Sequence, residues 1–146
     1  MYVIFLVVED DPVSATVIRE ILRPFGESHV ANDGATALRF FRESLDGGVS
    51  YDCVFLDIMM PDMDGHETLE ALRGEEERRN LWGSDAVRVV MVTALGDFEN
   101  VRMSFREQCD GYLVKPIRRE RVFTLLRELG LVKESAGETG GSIPSV

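Results

Sequence analysis

The chain has 146 residues, enough for one domain with a proper core but not for two. Its 45% apolar and 29% charged residues are ordinary for a globular protein, and the longest apolar run, Val3 to Val8, is far too short to span a bilayer and lacks the flanks of a signal peptide. A formal charge of −10 and a pI near 4.6 argue against a nucleic-acid surface, which needs clustered Lys and Arg, whereas acids gathered at one place would attract a cation. The two cysteines, Cys53 and Cys109, lack metal spacing and neighbouring partners, which predicts reduced thiols in a cytoplasmic protein.

Strand and helix alternate along the chain. Tyr2 to Val8 reads as a buried strand closed by Glu9-Asp10-Asp11. Asp11-Pro12 opens a helix, with Asp as cap and Pro tolerated at the first helical position. Val13, Val17, Ile18, Ile21 and Leu22 recur at helical spacing and predict one apolar face, and Pro24 and Gly26 stop the helix. Ser28 to Ala31 is a short second strand. Asn32-Asp33-Gly34 then turns the chain into a helix over Ala35 to Leu45, with Ala37, Leu38, Phe41 and Leu45 inward.

Tyr51 to Asp57 is the central strand, whose apolar run from Cys53 to Leu56 stops at a carboxylate and is followed by turn formers ending in Asp64-Gly65. A helix over Gly65 to Arg79 carries Leu69 and Leu72 inward and presents Glu75, Glu76 and Glu77 outward as a solvated acidic face; Gly74 weakens it. Asn80 to Ala86 is a loop holding the only tryptophan, Trp82, which is expected to lie back on its own domain. Val87 to Thr93 is the fourth strand. The helix over Asp97 to Gln108 has sparse apolar positions, Phe98, Val101, Met103 and Phe105, so it packs loosely and can shift. Gly111 to Val114 is the fifth strand, ending at Lys115-Pro116, and the last helix covers Arg118 to Leu129 with Val122, Leu125, Leu126 and Leu129 inward. Residues 131–146, rich in Gly, Ser, Glu and Thr from Lys133 on, read as a flexible tail behind a domain at 1–130.

Five strands alternating with five helices through short connections predict an α/β fold, a doubly wound five-stranded parallel sheet with helices on both faces. Every strand of such a sheet points its carboxyl end at one edge, where open α/β sheets bind ligands. Glu9 and Asp10 end the first strand, Asp57 the third, Thr93 the fourth and Lys115 the fifth. Strand ends are often polar because they meet water, which accounts for one or two of these but poorly for three acids, a hydroxyl and a lysine, each with apolar residues behind it. Two unit charges at ~4 Å repel by roughly 4 kcal/mol at an effective dielectric near 20, so crowded carboxylates call for a divalent cation. Hard oxygen ligands suit Mg²⁺, which takes one or two carboxylates plus a phosphate. Lys115 and Thr93 can hold phosphoryl oxygens, and Asp57, ending the middle strand, is the best nucleophile for an aspartyl phosphate.

Glu9-Asp10, the strand-end Asp57 with Met60-Pro61 and Asp64-Gly65 after it, Val92-Thr93-Ala94, and Gly111-Tyr112-Leu113-Val114-Lys115-Pro116 together resemble the receiver domain of bacterial two-component response regulators, over Tyr2 to Leu129. The resemblance implies a flavodoxin-like (βα)5 fold and a phosphoacceptor switch rather than a classical enzyme. Asp57 would take a phosphoryl group from the phosphohistidine of a histidine kinase or phosphotransfer protein. Asp10 and Asp57 would ligate Mg²⁺ directly with the Met59 main-chain carbonyl, and Glu9 through water. Thr93 and Lys115 would bind the phosphoryl group, and Lys115-Pro116 would be a cis peptide. Thr93 and Tyr112 would form a switch pair, although spacing alone makes Tyr112 an ordinary strand aromatic. Phosphorylation would then remodel the face made by the fourth helix, fifth strand and last helix and change the affinity for a downstream protein target. The resemblance points to protein partners rather than nucleic acid or membrane, and leaves open a phosphorylation-dependent homodimer.

Two features depart from the pattern. The connection Gly74 to Ala86 is longer and more charged than a receiver needs, and is expected to extend the third helix rather than to form a private contact surface; bulky Met59 and Leu95 flank the expected phosphoryl position, where they would hinder attacking water. Two other classes compete. An aspartate-nucleophile, Mg-dependent phosphohydrolase would want a second acid two residues after Asp57, where Met59 stands. A receiver-like binding module that never takes phosphate would typically have lost an acid or the lysine, and none is lost. With no output domain behind Leu129 in this sequence, the chain reads as a stand-alone regulator.

Overall fold

Five segments become the strands β1 (Val3–Val8), β2 (Gly26–Ala31), β3 (Cys53–Asp57), β4 (Arg88–Ala94) and β5 (Gly111–Lys115) of one sheet, in a computed structural model that describes residues 2–60, 63–105 and 108–132. Pro61, residues 106–107 of the expected fourth helix, the Phe105 side chain and the predicted tail from Lys133 lie outside the described residues. All pairings are parallel, in the order β2-β1-β3-β4-β5. β1, β3 and β4 lie inside the sheet and are almost wholly buried, which is why they read as unbroken apolar runs; β2, at an edge, carries Glu27 and His29. The strand order reverses between β1 and β3, which opens a crevice at their carboxyl ends.

Helices α1 (Pro12–Leu22), α2 (Gly34–Asp46), α3 (Gly65–Arg78), α4 (Phe98–Phe105) and α5 (Arg119–Glu128) cover the two faces. Alternate strand residues divide between them. Leu6, Val54, Leu56 and Met91 pack with Phe41, Leu69, Leu72 and Val101 on one side; Phe5, Phe55, Val90 and Val92 pack with Ile18, Leu22, Val122 and Leu126 on the other, where Leu131 and Val132 also rest. Cys53 is buried and Cys109 half-buried, both are free thiols, and burial raises the pKa of each.

Aspartates start three of the helices. Asp11 accepts from the Ser14 N–H at 3.2 Å, Asp33 from the Thr36 N–H at 2.7 Å, and Asp64 forms a capping box with Glu67 at 2.9 and 3.1 Å. The chain's acidity near the crevice is therefore partly structural. Gly65 also bears on the crevice: a Cβ there would lie 2.6 Å from Ile58 Cα and 2.9 Å from the Asp57 carbonyl oxygen. Only glycine lets α3 begin so close behind the end of β3.

Three expectations need correction. Val13 and Val17 are 71% and 42% exposed, because α1 buries the stripe of Ala15, Ile18, Ile21 and Leu22, centred about 130° further round the helix. Glu75 and Glu76 do not belong to a solvated face: both are buried and only Glu77 is exposed. Glu75 accepts from Arg42 Nε at 3.0 Å and Arg79 Nε at 2.8 Å and pairs with Arg78, and these guanidiniums hold its carboxyl down to about 2. Glu76 accepts from Arg73 Nη1 at 2.8 Å and from the Val87 N–H at 2.6 Å. The third correction is Trp82, which is 59% exposed before a turn at Gly83 (φ +56).

Arg73 ties this region together. Its Nε donates to the Gln108 carbonyl at 2.9 Å and its Nη1 to the Val87 carbonyl at 2.8 Å, while its Nη2 lies 3.3 Å from Asp110, whose Oδ2 also accepts from the Val89 N–H. The long connection after α3 is thus anchored to the amino end of β4 and to the residues before β5.

Candidate functional site

Each parallel strand delivers one or two side chains to the crevice. Glu9 follows β1 and is 1% exposed; Asp57 ends β3 at 4%; Thr93, one before the end of β4, is at 2%; Asp10 is exposed. One carboxylate oxygen each from Glu9, Asp10 and Asp57 lies within 4.8 Å of the other two. Lys115 ends β5 and places its Nζ 3.4 Å from Asp57 Oδ2 and 3.4 Å from Glu9 Oε1. Glu9, Asp10, Asp57 and Lys115, each predicted from its strand end, therefore meet.

Backbone groups fix these side chains. Asp57 Oδ1 accepts from the Met59 N–H at 3.2 Å, and the Ile58 N–H donates to the Val92 carbonyl at 3.1 Å, holding the residue after Asp57 against β4. Glu9 Oε2 accepts from the Asp11 N–H at 3.2 Å. That contribution of Asp11 escaped sequence reasoning, because a main-chain donor leaves no trace in residue type. Glu9 Oε1 is buried and accepts no aligned hydrogen bond; the Lys115 ammonium is at ion-pair distance only.

The electrostatics follow from this crowding. Burial first, then Asp57, to which only the protonated Glu9 can donate and whose charge repels the ionised form, push the Glu9 carboxyl up to about 7 against the opposing Asp11 N–H and Lys115. Burial pulls the Lys115 ammonium down, but the charges of Asp57 and Glu9 outweigh it and hold its pKa above the ordinary value. One ammonium leaves three acids under-compensated. An unbonded buried oxygen within a set of hard carboxylate donors fits a small divalent cation such as Mg²⁺.

Thr93 and Tyr112 are engaged with other groups. Thr93 Oγ1 donates to the Ala94 carbonyl at 3.3 Å. Tyr112, half-buried on β5, donates its hydroxyl to the Arg102 carbonyl of α4 at 3.1 Å and meets Phe98 edge-on at 6.0 Å. Lys115-Pro116 is cis. Met59 and Leu95, after the carboxyl ends of β3 and β4, are 70% and 74% exposed.

A family model described as the response regulator receiver domain matches residues 5–127. The chain belongs to this receiver domain family. It is thus a receiver domain of the kind found in two-component systems, where such domains interact with histidine kinases or phosphotransfer proteins. It is 35% identical over 136 residues to the regulatory protein VanRB of Enterococcus faecalis, covering 90% of this chain and 56% of VanRB. It is 32% identical over 125 residues to the osmosensing histidine protein kinase SLN1 of Saccharomyces cerevisiae, covering 84% of this chain and 10% of SLN1. The chain therefore spans little more than half, or far less, of the curated relatives it matches. Among solved structures, the receiver domain of the sensor histidine kinase PA1611 of Pseudomonas aeruginosa is 30% identical with a TM-score of 0.68, covering 89% of this chain and 99% of that one, and holds a magnesium ion in its active site cleft. The chemotaxis protein CheY4 of Vibrio cholerae shares the fold at a TM-score of 0.72 and 22% identity, covering 88% and 98% of the two chains. Among the described residues no helix is long and apolar enough to cross a membrane.

Proposed function

We propose that this receiver domain is a phosphoacceptor switch in which Asp57 takes a phosphoryl group from the phosphohistidine of a histidine kinase or phosphotransfer protein. The observation that carries this reading is the position of Lys115 Nζ, 3.4 Å from both Asp57 and Glu9 and beside a three-carboxylate cluster. Asp10 and Asp57, the Met59 main-chain carbonyl and, through water, Glu9 would hold Mg²⁺. When bound, the ion would neutralise the crowded carboxylates and accept a phosphoryl oxygen.

The chain's own residues do the rest. An Asp57 carboxylate oxygen forms the new P–O bond as the P–N bond of the donor breaks, and the leaving imidazole keeps that electron pair. Lys115, a point charge already paired with Asp57, balances the charge on the phosphoryl oxygens. Thr93 gives up its 3.3 Å contact with the Ala94 carbonyl to donate to the phosphoryl group. Tyr112 then follows Thr93 inward and releases the Arg102 carbonyl, which frees α4 to shift and biases the α4-β5-α5 face for a downstream protein target. A hydrolase reading gains no support, since the position two residues after Asp57 holds Met59 rather than an acid.

Incubation with Mg²⁺ and acetyl phosphate, followed by intact mass, tests the proposal. The expected result is a gain of one phosphoryl group that Asp57→Ala and EDTA both abolish. No gain, or a gain that survives Asp57→Ala, overturns it.

A further inference from the structure

We propose that the groove between the second half of α3 and the Trp82 loop docks a cationic, leucine-bearing segment of a partner protein. The groove is open, about 520 Å³, lined by Gly74, Leu81 and Ala86 with Trp82 beside them. Two independent observations meet there. Trp82, the only tryptophan in the chain, leaves 59% of its surface in water, and exposed indole is the side chain in which binding energy most often concentrates. Gly74 lies inside a 14-residue helix where an added Cβ would meet nothing closer than Arg78 Nη1 at 3.8 Å. Neither packing nor a positive φ requires glycine at that position, so its effect on the fold is only to weaken the helix. What it leaves is bare backbone over which another chain can pass closely.

Charge selects the occupant. Glu77 is exposed and forms no ion pair among the described residues, and Glu70 is exposed and lies 3.2 Å from His66. Arg73, in the same wall, is already engaged by Glu76 and Asp110, and Arg78, whose guanidinium lies beside the Gly74 floor, by Glu75. With a net charge of −10 behind it, this rim favours Lys or Arg, which the Trp82 face can also hold, while Leu81 and Ala86 take an aliphatic side chain. The groove lies at the end of the sheet opposite Asp57, so the proposal does not depend on the phosphoacceptor reading.

Trp82 emission reads the groove directly. The unphosphorylated full chain is titrated with a synthetic dodecapeptide of Leu-Lys-Lys-Leu repeats and with its Leu-Glu-Glu-Leu counterpart, and amide shifts are mapped by NMR. The expected result is saturable binding of the lysine peptide alone, with shifts confined to 70–87 and Gln108. Gly74→Leu, which fills the floor, and Glu77→Lys, on an exposed position that leaves folding intact, should each weaken binding by about tenfold. Equal binding of the two peptides, no saturation, shifts centred elsewhere, or an unchanged affinity in Glu77→Lys overturns the proposal.

Discussion

The ammonium of Lys115 lies 3.4 Å from the carboxylate of Asp57, a contact between residues 58 positions apart that exists because β3 and β5 end at the same edge of a parallel sheet. Removing it tests whether Lys115 acts on the phosphoryl group or merely fills space. Lys115→Met keeps the aliphatic stem and drops the charge. Its phosphorylation by acetyl phosphate, followed by mass against time, should slow by about a hundredfold, the loss typical of one preorganised charge-stabilising donor. An unchanged rate would assign Lys115 a purely structural part.

Glu9 makes the metal-free protein sensitive to pH. Its carboxyl sits at about 7 in the fold against an ordinary 4.5, so between those values the folded state keeps a proton that the unfolded chain has lost. Stability in EDTA should therefore fall as pH rises from 4.5 to 7, by on the order of 2 kcal/mol from this group. Glu9→Gln should flatten that slope in denaturant melts, and millimolar Mg²⁺ should do the same in the parent protein by displacing the proton. Parallel pH profiles for parent and variant in EDTA would contradict the electrostatic picture.

Glu75 has the opposite sign. Held at about 2 by Arg78, Arg79 and Arg42, it contributes stability that is complete above pH 4.5 and is lost as pH falls through the window down to 2. Glu75→Gln should destabilise by about 1–3 kcal/mol at pH 7, since Arg42 and Arg78 are half exposed and solvent screens part of the attraction. Glu77→Gln, on the same turn but exposed, should change stability by less than about 0.5 kcal/mol. Chemical denaturation of the two variants side by side separates these outcomes.

Met59 and Leu95 leave large apolar surfaces at the rim of the crevice, 70% and 74% exposed. If they obstruct water, Met59→Asn with Leu95→Glu should shorten the lifetime of the phosphorylated state by about tenfold or more, the low end of what a water-orienting group supplies. Decay followed by intact mass after removal of acetyl phosphate gives the rate, and a lifetime equal to the parent's would remove any protective role.

Gly74→Ala should raise stability by about 1 kcal/mol, because only Arg78 Nη1 comes within 4 Å of the new methyl. A melting temperature that falls instead would mean the helix needs glycine there.

How much of this was written in the sequence depends on the range of the interaction concerned. The cluster of Glu9, Asp10, Asp57 and Lys115 was legible because a buried strand leaves an unbroken apolar run and parallel strands share a direction, so each run's last residue locates itself. The burial of Glu75 was not legible, since one of its partners, Arg42, comes from α2, 33 residues earlier, and a run of glutamates looks solvated until that arginine is placed. Val13 and Val17 misled because apolar positions on α1 occupy more than one stripe and period alone does not say which one meets the sheet. Thr93 was placed on the right edge, but its hydroxyl bonds its own neighbour's carbonyl, a local rotamer choice that residue type does not encode.

Val87, immediately before β4, is gripped from both sides, its N–H by Glu76 and its carbonyl by Arg73, whereas near the far end of the strand the Thr93 hydroxyl reaches only its own neighbour's carbonyl, at 3.3 Å. The backbone of the strand is paired with β5 as far as Ala94, so what can turn at the far end is the hydroxyl and not the strand. Directly beyond that hydroxyl lie the turn at Leu95–Asp97 and the start of α4, while the root of the strand keeps its arginine anchor.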